Sequence, residues 1–167
     1  KLNIYNQIKY FKSIFSKKIT SPFHISNIIN IEKKYNARSS FYFLSLLKGE
    51  VDYNYDVNLI NELYELIKAN NCEIGLHGGH NAFNNLNKII VEKARLEMAA
   101  GTEVIGYRNH YLKFELPNTW NFLEKADLKY DTTLGYADCA GFRNGMCHPF
   151  YPFNLESNCF MNIMELP

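Results

Sequence analysis

Apolar side chains recur along this chain with two alternating periods. Ile4, Ile8, Phe11 and Phe15 fall three or four residues apart, which predicts a helix over 4–16. Pro22 interrupts it, and Ser26 is placed to cap a short helix carrying Ile28, Ile29 and Glu32 and ending near Asn36. Residues 38–44, rich in aromatic side chains, read as a strand. A polar loop through Asp52 and Asp56 leads to a helix with Leu59, Ile60, Leu63, Leu66 and Ile67 on one face. Residues 72–77 read as a buried strand, followed by a helix over 85–100 that Gly101 is suited to close in a left-handed conformation. A strand over 103–108, a helix around 117–126 and a strand over 129–134 complete the pattern. A loop rich in glycine and aromatic residues fills 135–158, and residues 162–166 begin one more strand.

The strands start near 38, 72, 103, 129 and 162. Steps of about 30 residues are the length of a βαβ unit. The expected class is therefore α/β: repeated βα units forming a parallel sheet with helices outside it. Periodicity does not separate a barrel from an open sheet. Either places function at the C-terminal ends of the strands.

Composition narrows the reading further. A chain of 167 residues, 47% hydrophobic and 21% charged, can bury a real core as one domain over 1–167, here expected to be truncated at both ends. Lys and Arg total 18 against 17 Asp and Glu, so no basic surplus points to nucleic acid. No apolar run is long enough to span a bilayer. The first ten residues lack the apolar core of a secretory signal. Cys72 reads as a small residue of the core. Cys139, Cys147 and His148 match no usual zinc spacing, so the four cysteines are expected to be reduced and non-ligating, which favours a cytoplasmic compartment without fixing it.

The strand-end rule selects the chemistry. After the second strand stands His77-Gly-Gly-His80-Asn81, after the third Arg108-Asn-His110-Tyr111, and after the fourth Asp131-Thr-Thr. Imidazole ligates zinc well, and His80 or Asn81 could turn back toward an ion held by His77. Arg108 could orient a carboxylate through paired hydrogen bonds. Tyr111 could line a cleft. Asp131 is expected to cap a turn. Asp52 and Asp56 lack the glycine and distal glutamate of a calcium loop and read as polar loop. Trp120, at helical spacing, reads as core.

These segments resemble a family. Glu73-Ile-Gly-Leu-His77-Gly is similar to the second motif of NodB-type polysaccharide deacetylases, carbohydrate esterase family 4, and Gly106-Tyr-Arg108-Asn-His110-Tyr111 to their third. Leu128–Leu134 is similar to the segment that follows. Gly141-Phe-Arg-Asn-Gly145, His148-Pro-Phe150 and Pro152-Phe resemble a bacterial branch associated with surface polysaccharides. The resemblance runs from about Ile28 to the end. It implies a distorted (β/α)7 barrel and removal of N-acetyl groups from a carbohydrate. A divalent ion, zinc by expectation, would be held by His77 with His80 or Asn81. Arg108 would orient the catalytic aspartate, and His110 and Tyr111 would contact substrate. The family's second metal histidine stands four residues after the first, where this chain has Asn81. That departure leaves a non-catalytic glycan-binding or assembly role as the alternative. The family's aspartate pair would lie before Lys1 and its late histidine beyond Pro167.

Overall fold

The computed structural model describes residues 23–167. The helix expected over 4–16 lies outside the described residues. The chain divides into two compact units, Lys1–Ser39 and Ser40–Pro167. In the first, helix α1 (Phe23–Lys34) ends where Asn36 takes a left-handed conformation (φ 52°). Ser26 lies inside this helix rather than at its cap, because the helix begins three residues earlier, at Phe23.

The second unit alternates strand and helix: β1 (Ser40–Leu44), α2 (Asn61–Ala69), β2 (Glu73–Gly78), α3 (Leu86–Ala100), β3 (Gly106–Asn109), α4 (Asn118–Lys125) and β4 (Tyr130–Asp131). A hairpin of β5 (Phe153–Asn154) and β6 (Cys159–Phe160) precedes β7 (Met164–Glu165). All five expected strands join one parallel sheet in the order β1-β2-β3-β4-β7. They are shorter than the apolar runs that announce them. After Asp131, for instance, the chain bends as its carboxylate accepts the Thr133 hydroxyl at 2.5 Å. The hairpin inside the long loop carried no clear alternation and was not expected.

Register sorts the side chains onto two faces. Phe43, Leu76, Tyr107, Asp131 and Glu165 are successive partners across the sheet, and all are buried. They share the core with Tyr64 and Ile67 of α2, Ile89 and Leu96 of α3, and Trp120 and Leu123 of α4. Trp120 is core, as its spacing predicts. Burial of such side chains contributes roughly 1.5–3 kcal/mol each. The row ends in two carboxyl groups. Glu165 accepts hydrogen bonds from the Trp120 indole at 2.9 Å and the Leu134 amide at 3.3 Å. Burial, and then the adjacent Glu165 carboxyl, push Asp131 well above the usual carboxylate range.

The opposite face is polar at its lower end. Tyr42 stands beside Gly75 and Tyr130 beside Gly106. Both rings lie over these glycines, where a Cβ would come within 2.6 and 2.3 Å of them. Their hydroxyls meet at 3.0 Å, and Tyr130 donates onward to Glu73, which also accepts from Ser40. One residue row above this network, the same face carries Leu44, His77 and Arg108.

Candidate active site

His77 and Arg108 are register partners at the C-terminal ends of β2 and β3. Parallel pairing at matched positions aims both side chains to the same face. The strands thus bring together the imidazole and the guanidinium that the sequence singles out. Burial first, then the charges of His110 and Arg108, lower the His77 pKa to about 4. At neutral pH its ring is uncharged, and one nitrogen keeps a lone pair.

His110 completes the centre. Its Nδ1 lies 3.0 Å from His77 Nε2, and its Nε2 lies 3.1 Å from Asp52 Oδ2. Asp52 comes from the loop after β1, in a left-handed conformation (φ 66°) that aspartate tolerates better than most residues. A carboxylate at Nε2 holds that nitrogen protonated. In a neutral His110 ring the lone pair then sits on Nδ1, facing His77. The His77 ring also hydrogen-bonds to the Arg108 backbone. At 3.0 Å the two nitrogens are hydrogen-bonded through one proton, the donor being set by the tautomers. An ion held by both rings would replace that proton, and Asp52 would then stand behind His110 in the second-layer position usual for metal-bound histidine. Among the described residues, no group of three or more His, Cys, Asp or Glu side chains is arranged to hold a metal.

His80 and Asn81 turn elsewhere. His80 Nδ1 contacts Asn81 Oδ1 at 3.0 Å, and Lys113 Nζ approaches His80 Nε2 at 2.9 Å. An ammonium group beside His80 opposes a second cation there. Arg108 Nη1 donates to the Thr132 carbonyl at 2.8 Å, tying β3 to the loop after β4. Tyr111 is 63% exposed, with its ring 4.2 Å from that of His110 and 5.7 Å from that of His80. It takes a left-handed conformation (φ 58°), as does Leu112 (φ 51°). Such strain in consecutive non-glycine residues is characteristic of functional loops.

A buried acid supports the His77 loop from below. Glu92 of α3 accepts the Gly79 amide at 2.8 Å. A Cβ at Gly79 would meet Glu92 and Leu46 side-chain ends at 2.8 Å, so both would have to shift to admit one. Burial raises the Glu92 carboxyl to about 7. Sequence reasoning missed both Glu92 and Asp52. Asp52 carried a signal, since its loop leaves the C-terminal end of the first strand, the location that selected the other site residues.

No family model matches the chain, and no curated protein does. Solved structures do. A protein of Mycobacterium smegmatis described as a polysaccharide deacetylase superposes with a TM-score of 0.60 at 19% identity, over 86% of this chain and 44% of that one. A mutant of a CE4-family pseudoenzyme matches with a TM-score of 0.50 at 14% identity, over 68% of this chain and 41% of its own. A mutant described as that pseudoenzyme with restored enzymatic activity gives 0.50 at 15%, over 66% and 40%.

The fold is that of the CE4 polysaccharide deacetylases. The chain spans less than half the length of these structures. In this deacetylase fold the His77–Arg108 pair lies at the strand ends where α/β sheets place their chemistry.

Proposed function

We propose that this deacetylase fold carries a metal-dependent site that removes N-acetyl groups from a carbohydrate. The reading rests chiefly on His77 and Arg108 standing in register at the ends of adjacent parallel strands, on one face. The fold likeness and the strained, aromatic loop beside them support it.

His77 would bind the ion through Nε2 and His110 through Nδ1, in place of the pairing of His77 with His80 or Asn81. Imidazole donors favour zinc. The aspartate-bearing segment implied by the family resemblance would supply the remaining ligand and the general base. When bound, the ion supplies a Lewis acid that polarises the acetyl carbonyl. Asp52 holds the His110 ring in orientation. Arg108 offers its free guanidinium nitrogens to a carboxylate and so positions the base. Tyr111 presents an exposed ring to the sugar.

Zinc retention tests this. The intact protein should keep about one ion per chain through dialysis. His77→Ala and His110→Ala should each lose it, His80→Ala should keep it, and Asp52→Asn should weaken retention roughly 10- to 100-fold. Acetate release from an N-acetylated oligosaccharide is the second measurement. Wild-type protein that retains no zinc would refute the metal site.

One observation favours a non-catalytic reading. Asn81, at the family's second histidine position, is exposed and contacts His80 rather than His77. Oligosaccharide binding without acetate release would select that role.

A further inference from the structure

Beyond Tyr111 the site opens into a cavity of about 480 Å³. Its walls come from the loops after β2, β3 and β4, including Phe83, Tyr111, Lys113, Phe114, Tyr136 and Arg143. Two approaches join it to the proposed centre. The Tyr111 ring lies tilted against that of His110, 4.2 Å between centres, and Arg108 Nη2 comes within 3.8 Å of where a Cβ on Gly135 would stand.

The charges in this cavity are of one sign. Lys113 and Arg143 line it, and among the described residues no carboxylate does. Lys113 approaches His80 and lies 5.7 Å from the centre of the Phe83 ring. Arg143 donates one bond, to the Leu112 carbonyl at 3.1 Å. Neither forms an ion pair with a carboxylate among the described residues. Arg108, at the inner end, likewise has none. Asp138, beside the wall residue Ala137, is not part of the lining. In a chain of net charge +1, two cations without counter-charges along one concavity, with Arg108 behind its Gly135 wall, are a local excess rather than a general basic character. A concave wall concentrates their field.

We infer that this cavity binds an acidic oligosaccharide, with a sugar carboxylate held by Lys113 and Arg143 while a neighbouring N-acetylated residue reaches the His77–Arg108 centre. The inference rests on the deacetylase reading for the placement of the N-acetyl group. Three features select this ligand class. The guanidinium fork matches a carboxylate in geometry. The exposed faces of Tyr111 and Tyr136, 63% and 46% accessible, offer flat surfaces to sugar rings. The two unpaired cations of the lining, Lys113 and Arg143, favour an anionic ligand over an uncharged one.

The test compares two tetrasaccharides by calorimetric titration of the intact protein at low and at physiological salt. One alternates N-acetylglucosamine with glucuronic acid; the other is all N-acetylglucosamine. The acidic probe should bind about tenfold or more tightly, with a preference that shrinks as salt rises. Arg143→Gln and Lys113→Gln should each reduce that preference about three- to tenfold, and the double variant should abolish it. Lys125→Gln, an exposed lysine on α4, should leave it unchanged. Equal affinity for the two probes, or a preference untouched by the double variant, would overturn the inference. Acetate release is followed in parallel to keep the two readings apart. An acidic preference without acetate release supports the cavity and removes the deacetylase. Acetate release from the neutral probe, unaffected by the double variant, does the reverse.

Discussion

At the scale of single residues, the site is a problem of protons. His77 is buried enough to stay neutral at pH 7, while His110 is oriented by Asp52. Glu92, beneath the same loop, is held up to about 7 by burial against only one hydrogen bond, from Gly79. Its folded pKa exceeds the unfolded value near 4.5, so its contribution to stability is complete below that value. That contribution disappears as pH rises through about 7. Glu92→Gln keeps an acceptor for Gly79 and removes the titration. The variant should therefore melt higher than wild type at pH 8, by about 1–3 kcal/mol of stability, with the gap closing toward pH 4.5. Thermal melts across that range check it; a gap that widens on acidification would show that Glu92 is stabilised as the carboxylate.

At the scale of elements, aromatic rings from β1 and β4 lie across glycines of β2 and β3 and meet at their hydroxyls. Tyr130 covers Gly106 so closely that a methyl group there must displace the ring and break its bond to Glu73. Gly106→Ala should cost roughly 1–3 kcal/mol, read as a lower urea midpoint at unchanged slope. The Tyr42–Tyr130–Glu73–Ser40 network lies on the His77 face, with its residues alternating along the strands with those of the core. The same alternation explains why Asp131 serves in packing. Its row faces the helices, so the carboxyl meets Glu165 rather than the site.

At the scale of the molecule, strand order decides which loops meet. The loops after β1, β2, β3 and β4 supply Asp52, His80, His110 and Gly135. Arg108 ties β3 to the last of them through the Thr132 carbonyl. Replacing it should leave the core intact, since the side chain lies on the face away from the helices. Arg108→Ala is expected to lower acetate release at least 100-fold, the scale of losing a positioned catalytic group, with an unchanged far-ultraviolet circular dichroism spectrum. Turnover at the wild-type rate would remove Arg108 from the mechanism.

Local pattern was sufficient for the succession of strands and helices, for the parallel sheet, and for His77 and Arg108 at its edge. Period and strand length are properties of neighbouring residues, and parallel pairing follows from the intervening helices. Three features depended on tertiary structure. Asp52 and His110 are 58 positions apart and meet only because β1 and β3 flank β2. That His110, rather than His80 or Asn81, lies beside the His77 ring depended on how the loops after β2 and β3 run. The cationic cavity assembles from three loops, each of which by itself looks like ordinary solvated chain. Contacts between distant segments are set by sheet order and register, which no short stretch of sequence contains.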